Sequence, residues 1–204
     1  MLRDPVMALS LHPGTTLPPD VVERLRAYAA LLGQWTKTIN LVAPGEDIWS
    51  RHVLDSLRLL PLIPAGTGRA IDLGSGAGLP GLVLALASGI PFDLVESDRR
   101  KAAFLAEAQR VTGAPVQVHC ARIEAAPVPP AQLVTARALA PLDRLLGLAA
   151  PLLAPGGTGL FPKGARAAAD LAEARRNWRM QAELVDDAAH PGSTIVVVTG
   201  LARA

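Results

Sequence analysis

Apolar side chains recur every three or four positions between residues 21 and 32, which predicts an amphipathic α-helix. The helix is expected to begin behind Asp20, a residue type that favours the N-cap, and to run to about Trp35. A second stretch with helical spacing covers residues 47–60, and Pro61 follows it, where a helix commonly ends. The N-terminal part of the chain therefore predicts helices rather than part of a sheet.

From residue 69 onward, short apolar runs alternate with longer amphipathic stretches. The runs are typical of buried strands and cover residues 70–73, 92–96, 116–119, 133–135, 159–162, 181–185 and 195–199. The longer stretches are typical of helices and cover residues 79–88, 98–111, 141–153 and 166–177. Strands that alternate with helices predict a mostly parallel sheet covered on both faces. The last two runs flank Pro191-Gly192 and predict a closing antiparallel pair.

The chain is expected to form one structural unit with two parts. Residues 1–64 predict an N-terminal helical extension, in which residues 1–19 are an irregular lead-in containing several prolines. Residues 65–204 predict the α/β domain. A length of 204 residues suits one domain with an extension better than two full domains. The predicted fold class is α/β, with a doubly wound, mostly parallel seven-stranded sheet and a helical extension.

Charge and hydropathy argue against a membrane protein. The 20 Lys and Arg residues nearly balance the 18 Asp and Glu residues, so the net charge of +2 does not by itself indicate a nucleic-acid partner. The apolar stretch 138–153 contains Asp143 and Arg144 and does not resemble a membrane span. Asp4 and Pro5 interrupt the short apolar stretch at the start of the chain, which disfavours a signal peptide. We expect a soluble, cytoplasmic protein.

Cysteine and histidine usage argues against a metal centre. The one cysteine, Cys120, excludes an internal disulfide and a zinc site built on cysteines. The four histidines, His12, His52, His119 and His190, lack the spacing of metal ligands. We therefore expect no metal ion.

A glycine-rich loop follows the first predicted strand of the α/β domain, in the segment AIDLGSGAGLPG. Gly74, Gly76 and Gly78 allow the backbone to turn tightly and to approach a ligand that any Cβ would push away. A loop between such a strand and the next helix is where open α/β sheets bind nucleotides. A tight turn without a ligand is the alternative interpretation of the glycines alone.

Two cofactor classes fit this loop. Gly76-x-Gly78-x-x-Gly81, with Glu96 about twenty residues from it, matches the dinucleotide fingerprint. Asp72 disfavours a dinucleotide, because a carboxylate at the strand tip would face a pyrophosphate. S-adenosylmethionine carries an ammonium and a sulfonium and no phosphate, so Asp72 favours it, and Glu96 would accept hydrogen bonds from both ribose hydroxyls. Ordinary strand-end surface acids are the alternative for Asp72 and Glu96.

Residues at the other strand ends extend the candidate site. Ile123 follows the third strand of the α/β domain and is expected to pack on the adenine ring, with Glu124 beside it. Arg137 and Lys163 end the fourth and fifth strands, where substrate must enter. We expect both cations to contact a phosphate or a base, and Arg137 also to lie near the cofactor. Solvated surface charges are the alternative.

Arg51, His52 and Asp55 lie together on the second predicted helix. One interpretation is contact with substrate RNA, above all by Arg51 and His52. The other is a capping or salt-bridge cluster that docks the extension onto the α/β domain, with His52 as a hydrogen-bonded packing residue. The residues alone leave both interpretations open.

These motifs together resemble the ribosomal RNA small-subunit methyltransferase G family, also called glucose-inhibited division protein B. The matching motifs are Trp35-x-x-x-x-Asn40-Leu41, Arg51-His52-x-x-Asp55-Ser56, Asp72-x-Gly74-Ser-Gly76-Ala-Gly78-Leu79-Pro80-Gly81, Glu96-Ser97-x-x-x-Lys101, Arg137-Ala138 and Lys163-Gly164. The resemblance implies a class I S-adenosylmethionine-dependent methyltransferase fold. It also implies cofactor contacts at Gly74, Leu79, Ile123, Glu124 and Arg137.

The resemblance further implies methyl transfer to N7 of a guanine in 16S rRNA near the decoding site, with 16S rRNA or the small ribosomal subunit as partner. Guanine N7 has a lone pair and no proton to lose, so the enzyme needs in-line placement and no general base. Arg137 and Lys163 are therefore expected to act by positioning, and we expect a monomer. Two departures are Glu96, where the family often has Asp, and a C-terminus without a lysine-rich ending.

Two other functions are compatible with the residues. A non-catalytic RNA-binding or ribosome-assembly factor would keep the methyltransferase scaffold without the reaction. A nicotinamide-dependent oxidoreductase would use the same glycine loop, although Asp72 disfavours it.

Overall fold

Two short strands precede the first helix in the computed structural model, which describes residues 9–12, 15–186 and 192–204. Strand β1 (Leu9–His12) pairs antiparallel with β2 (Thr15–Leu17). The irregular lead-in expected over residues 1–19 is therefore wrong where it covers these strands, whose backbones satisfy one another's hydrogen bonds. Pro13-Gly14, part of that prediction, lies outside the described residues.

The N-terminal extension contains one long helix, α1 (Pro19–Trp35). Its N-cap is Pro18, and Asp20 lies one position inside the first turn without a capping hydrogen bond, so the predicted cap is wrong by two residues. Proline is well tolerated at a helix start because the first backbone N–H groups have no partner within the helix. The apolar face of α1 is buried and includes Leu25, Tyr28 and Leu32.

The second predicted helix is irregular. Residues Trp49–Leu54 form a π-helical turn, α2 covers only Asp55–Leu57, and a 3₁₀ turn covers Leu60–Leu62. The predicted single helix over 47–60 is therefore wrong in its geometry. Asp47 supports the start of the segment, because its Oδ1 accepts hydrogen bonds from the backbone N–H groups of residues 49 and 50, at 3.0 and 3.2 Å.

A seven-stranded sheet forms the centre of the protein. Its strands are β3 (Ala70–Leu73), β4 (Phe92–Glu96), β5 (Val116–Cys120), β6 (Ala131–Thr135), β7 (Leu153–Gly164), β8 (Trp178–Asp186) and β9 (Ser193–Arg203). The spatial order is β5-β4-β3-β6-β7-β9-β8, with the first five strands parallel and β9 antiparallel to both of its neighbours. The closing antiparallel pair is confirmed, although Pro191 lies outside the described residues.

Four helices connect the parallel strands or follow them: α3 (Gly81–Ser88), α4 (Arg99–Thr112), α5 (Leu142–Ala149) and α6 (Ala167–Ala174). The Asp98 side chain caps α4 by accepting from the backbone N–H groups of residues 100 and 101. Among the described residues, no helix combines the length and the apolar character that a bilayer crossing requires.

The sheet buries a hydrophobic cluster on each face. Successive residues of β3 point to opposite faces, so Ala70 joins one cluster and Ile71 joins the other. The first cluster contains Tyr28 of α1 and Phe104 of α4, and the Trp35 ring contacts the Phe104 ring edge-on at 5.6 Å between centroids. The extension therefore shares a core with the α/β domain.

The order of the strands reverses at β3, which pairs with β4 on one side and with β6 on the other. The connections leaving these strands turn to opposite sides and open a crevice at the carboxyl ends of the strands. In open α/β sheets this switch point is where ligands bind.

Candidate active site

A cavity of about 370 Å³ lies at the carboxyl ends of β3, β4, β5 and β6, at the switch point of the sheet. This volume falls within the range of small-molecule and cofactor sites, roughly 300–1,000 Å³. Six of the predicted site residues line the cavity: Gly74, Gly76, Glu96, Ile123, Glu124 and Arg137.

The glycine loop forms the floor of this cavity. Gly74 and Gly76 line it with φ angles of 62° and 54°, in the left-handed region that favours glycine. A Cβ at Gly74 would also lie 2.6 Å from Cδ1 of Leu139, which itself lines the cavity. The Tyr28 hydroxyl of the extension donates a 2.6 Å hydrogen bond to the Ala77 carbonyl, so α1 supports the loop from behind.

Gly78 and Leu79, also predicted as cofactor contacts, lie away from the cavity wall. A Cβ at Gly78 would lie 3.0 Å from Leu82 Cβ and 3.1 Å from Leu105 Cδ2. The absence of a side chain at Gly78 therefore allows the loop to pack closely against α3 and α4. Leu79 is buried in the hydrophobic cluster that contains α3. Both residues shape the loop from its inner side.

Asp72 is fully buried behind the loop and does not line the cavity. Its Oδ1 accepts a 2.6 Å hydrogen bond from the Thr135 hydroxyl, and its Oδ2 has no hydrogen-bond partner within the described residues. Burial raises the pKa of Asp72 to about 6, against the opposing effect of the Thr135 hydrogen bond. A negative charge on Asp72 would therefore interact with a ligand only through its electrostatic field, across the glycine loop and without direct contact.

Glu96 connects the end of β4 to the glycine loop. Its Oε2 accepts a 2.8 Å hydrogen bond from the Gly76 backbone N–H, and its Oε1 accepts one of 2.7 Å from the Asp98 N–H. A carboxylate has about four acceptor sites, so both oxygens keep capacity for ligand hydroxyls. The same side chain can therefore hold the loop in place and accept hydrogen bonds in the cavity.

Apolar side chains form part of the cavity wall. Ile123 begins a 3₁₀ turn, Ile123–Ala125, and lines the cavity together with Leu139 and Leu148. Glu124, the next residue after Ile123, also lines the cavity but is exposed. A slot with apolar sides and polar groups at its edge suits a flat aromatic ring such as adenine.

Arg137 lies between the cavity and the extension. Its Nη1 lies 3.3 Å from Asp55 Oδ2, and its Nη2 lies 3.2 Å from His52 Nδ1. The side chain of Arg137 is only 20% exposed. Asp55 also binds Arg58, whose Nη1 lies 2.9 Å from Asp55 Oδ1. These contacts bring His52 and Asp55 together as a cluster that docks the extension onto the end of β6.

Arg51 does not join this cluster. Its side chain is 68% exposed, and its Nε lies 3.4 Å from Glu46 Oε1. His52 is buried, and its Nε2 lies 2.9 Å from Glu46 Oε2. Burial, followed by the nearby Arg137 charge, holds the pKa of His52 below its ordinary value. The docking interpretation thus fits His52, whereas Arg51 is free to face a partner from the surface.

Lys163 does not line the cavity. Its Nζ donates a 2.7 Å hydrogen bond to the Ala140 carbonyl, and Ala140 does line the cavity. Burial lowers the pKa of Lys163. The side chain therefore fastens the segment after β6 from the far side, and Arg137 and Leu139 belong to that segment.

Several cavity-lining residues were not predicted as site residues, among them Ser97, Lys101, Leu139, Arg144 and Leu148. Lys101 belongs to a motif already noted, Glu96-Ser97-x-x-x-Lys101, and this was the signal available. Arg144 and Leu148 lie four residues apart on α5, on one helix face, but nothing in their spacing distinguishes a cavity wall from a core. Among the residues that the structure describes, no group of three or more His, Cys, Asp or Glu side chains could hold a metal ion.

Comparison with protein families gives one matching model over most of the chain. Residues 21–192 match the GidB family, described as rRNA small subunit methyltransferase G. A relative from Rhodospirillum centenum, named ribosomal RNA small subunit methyltransferase G, is 50% identical over 185 residues, covering 90% of this chain and 86% of the relative. A relative of the same name from Acidiphilium cryptum is 54% identical over 186 residues, covering 88% and 85%.

Solved methyltransferase structures share this fold. An O-methyltransferase from Bacillus cereus in complex with SAH superposes with a TM-score of 0.55 at 13% identity, covering 89% of this chain and 91% of that one. A 16S rRNA methyltransferase from Thermus thermophilus, solved with AdoMet and guanosine, has a TM-score of 0.55 at 18% identity, covering 95% and 44%. At these identities the likeness supports the fold, and the predicted class I methyltransferase fold is confirmed.

Proposed function

The chain belongs to the GidB family, rRNA small subunit methyltransferase G, and we propose that the enzyme methylates N7 of a guanine in 16S rRNA near the decoding site. As a member it is an S-adenosylmethionine-dependent rRNA methyltransferase, so the nicotinamide-dependent oxidoreductase is set aside. The finer part of the proposal is the atom, the position in 16S rRNA and the roles of individual residues.

The observation that carries the cofactor site is the cavity between the glycine loop and Glu96. Gly74 and Gly76 bring bare backbone to the cavity, and the Glu96 carboxylate lies at its edge. These residues fit S-adenosylmethionine, because a carboxylate beside exposed backbone suits a ribose and a cationic amino acid better than a pyrophosphate. When bound, S-adenosylmethionine supplies an electrophilic methyl group on a sulfonium.

We assign the cofactor-binding roles as follows. Glu96 accepts hydrogen bonds from the ribose hydroxyls, and Ile123 packs on the adenine beside Glu124. Gly78 and Leu79 act indirectly, by fixing the loop. Asp72 acts through its field, because it is buried behind the loop.

Arg137 is assigned to both the cofactor and the substrate, and Lys163 to positioning. The Arg137 guanidinium can only donate hydrogen bonds and stays charged at neutral pH, so it suits a carboxylate, a phosphate or the O6 carbonyl of guanine, and it leaves the N7 lone pair free. Lys163 holds the Ala140 carbonyl and so fixes the segment that carries Arg137. No general base is assigned, because guanine N7 attacks with its own lone pair.

For the substrate side we propose that the positive rim of the cavity meets RNA phosphates. Lys101, Arg122 and Arg144 line the cavity with Arg137, against two carboxylates, Glu96 and Glu124. Arg51 adds an exposed cation on the extension. The expected partner is 16S rRNA or the small ribosomal subunit, in the cytoplasm. We propose that the enzyme binds it as a monomer, and that binding involves neither a metal ion nor a membrane.

The product identifies the function directly. Small-subunit particles from a strain that lacks the modification are incubated with the enzyme and S-adenosylmethionine carrying a labelled methyl group. Borohydride reduction followed by aniline cleaves RNA at N7-methylguanine, so one new cleavage site in 16S rRNA is expected. A methyl group on a ring carbon or an exocyclic amine would refute the assignment of N7 as the methylated atom, and the family assignment would still hold. No transfer at all, with normal cofactor binding, would favour the non-catalytic assembly factor.

A further inference from the structure

A line of four side chains connects the surface of the extension to the cavity. Glu46 Oε2 lies 2.9 Å from His52 Nε2, and His52 Nδ1 lies 3.2 Å from Arg137 Nη2. Asp55 Oδ2 lies 3.3 Å from Arg137 Nη1 and receives the other arm of the guanidinium. Of these four residues, only Arg137 lines the cavity.

The chemistry of the two ends fixes the proton on the histidine between them. A guanidinium has only donors, so the ring nitrogen that faces it, His52 Nδ1, must offer its lone pair. The single proton of the neutral ring then lies on Nε2, where the Glu46 carboxylate accepts it. A protonated ring would turn an N–H of His52 toward the N–H groups of Arg137.

We propose that Glu46 and His52 are positioning residues for Arg137, with Glu46 fixing the His52 tautomer that accepts the Arg137 hydrogen bond. This inference rests on the proposed function, in which Arg137 contacts cofactor and substrate. The two contacts to Asp55 and His52 hold both Nη atoms of a side chain that otherwise has several rotatable bonds. The guanidinium has further N–H groups for a ligand in the cavity.

The surroundings of His52 support this division of roles. The charged groups around it are Glu46 and Asp47 just before its π-helical turn, Asp55 one turn further on, and Arg137 at the end of β6. Asp55 is shared with Arg58, so it cannot turn wholly toward Arg137. Burial and the Arg137 charge hold the pKa of His52 below its ordinary value, which keeps the ring neutral at neutral pH. The hydrogen bond to Arg137 is therefore present there and is lost as the pH falls through that lowered pKa.

The first test reads the ring nitrogens directly by NMR of the ¹⁵N-histidine-labelled, ligand-free protein at pH 7.5 (roughly one unit above the ordinary histidine pKa). The expected signal for His52 is a neutral ring protonated at Nε2. Glu46→Ala should introduce a population protonated at Nδ1. A wild-type ring protonated at Nδ1, or on both nitrogens, overturns the proposal. This measurement involves neither cofactor nor RNA, so it stands even if the enzyme methylates another atom.

The second test measures S-adenosylmethionine affinity by calorimetry and turnover on small-subunit rRNA. His52→Leu removes the acceptor and should weaken cofactor binding about tenfold, the loss expected for a hydrogen bond to a charged group. His52→Asn keeps an acceptor near the Nδ1 position and should recover most of that affinity. Glu107→Ala is the matched control, because Glu107 pairs with Arg110 on the surface of α4 and is expected to change neither quantity.

The variants separate a positioning role from a merely structural one. A structural role alone predicts that His52→Leu and His52→Asn lower the melting temperature and leave cofactor affinity equal in the folded fraction, which would overturn the proposal. Glu46→Ala keeps it testable if His52→Leu fails to fold, since Glu46 is 27% exposed and its loss leaves no cavity in the core. Unchanged affinity and turnover in Glu46→Ala would likewise remove Glu46 from the arrangement.

Discussion

Glu96 accepts a 2.8 Å hydrogen bond from the backbone N–H of Gly76, twenty residues earlier in the chain. The side chain that we assign to the cofactor ribose is thus already bonded to the loop that we propose for the cofactor. Its other oxygen accepts from the Asp98 N–H at 2.7 Å, at the N-terminus of α4. Loop, strand end and helix start are joined by one carboxylate, so the site is preorganised before a ligand binds.

The first prediction concerns that carboxylate. Glu96→Gln would place an amide NH₂ against one of the two backbone N–H groups, because only one of its terminal atoms can accept. We expect a loss of about 1.5–3 kcal/mol in S-adenosylmethionine binding, the range for hydrogen bonds to charged groups. Calorimetry measures the loss, and Glu107→Gln on the exposed face of α4 is the matched control. Equal S-adenosylmethionine affinities in the two variants would contradict the assignment of Glu96 to the ribose hydroxyls.

The second prediction concerns the loop backbone. Gly74→Ala introduces a side chain at a φ of 62°, and its Cβ would lie 2.6 Å from Leu139 Cδ1. Gly156→Ala introduces the same methyl group at a φ of 74° with no atom within 4 Å. Both variants should lose about 1–2 kcal/mol of stability from the left-handed backbone. Only Gly74→Ala should also lose cofactor affinity, since it displaces Leu139 from the cavity wall.

The added variant Leu139→Ala makes this prediction sharper. Leu139→Ala removes the Cδ1 atom that the new Cβ of Gly74→Ala would contact too closely. The double variant should therefore lose less stability than the sum of the losses in the two single variants. Thermal unfolding of the four proteins gives the coupling between the two positions. Strict additivity would mean that the contact of Leu139 with the loop is not tight in solution.

The alternation of strands and helices was readable from the sequence because burial on both faces of a parallel sheet leaves unbroken apolar runs. The runs at 70–73 and 92–96 give the observed bounds of β3 and β4. The run at 159–162 missed most of β7, which begins at Leu153 and contains Pro155, Gly156 and Gly157. These residue types normally mark a turn, and the backbone is indeed irregular here: Gly156 has a φ of 74°, and the register with β6 shifts between Leu153 and Thr158.

The sequence predicted site residues correctly where the chemistry of a residue type explains its position at the end of a strand. Gly74, Gly76 and Glu96 line the cavity as their types suggest. Spacing could not reveal that Asp72 lies behind the loop, because a four-residue strand alternates its side chains and the register decides which one reaches the ligand. The Glu46 contact with His52 also had no local signal, since it depends on the π-helical turn at Trp49–Leu54.

The third prediction separates the two strand-end cations. Lys163→Ala should leave S-adenosylmethionine affinity nearly unchanged and lower turnover on rRNA, because Lys163 does not itself line the cavity and acts by holding the Ala140 carbonyl. Arg137→Ala should reduce both, since Arg137 lines the cavity. Calorimetry is run beside a methyl-transfer assay, with Lys37→Ala, an exposed lysine of the extension, as control. Normal turnover in Lys163→Ala would remove that residue from the site.

The fourth prediction concerns Asp72, whose pKa burial raises to about 6. In the unfolded chain the same carboxyl has an ordinary pKa of about 4. Between about pH 4 and pH 6 the folded protein therefore binds a proton that the unfolded chain has released. Stability falls as the pH rises through this window, and above it the cost of the buried charge is constant, at most about 3 kcal/mol.

Asp72→Asn removes this cost and keeps an oxygen that accepts from the Thr135 hydroxyl. We expect the variant to be more stable than the wild type above pH 6, by about 1–3 kcal/mol, with the advantage disappearing near pH 4. Denaturant unfolding at pH 4, 6 and 8 measures it, at the two ends of the window set by the two pKa values and above that window. A gain that is equal at every pH would mean that the substitution acts through packing and not through the charge.

The charge that destabilises the empty protein should be useful when the cofactor binds. S-adenosylmethionine carries a sulfonium and an ammonium, and a cation nearby lowers the pKa of a buried carboxyl. Binding near pH 5.5, just below the pKa of about 6, should then release a proton from Asp72, and binding at pH 8 should release none. Calorimetry in two buffers with different ionisation enthalpies counts these protons, and S-adenosylhomocysteine, which lacks the sulfonium, should release fewer.

In Asp72→Asn the proton release should vanish and the preference for S-adenosylmethionine over S-adenosylhomocysteine should shrink. Proton release that persists in this variant would assign the titration to another group, and the field of Asp72 would then play no part in holding the cofactor.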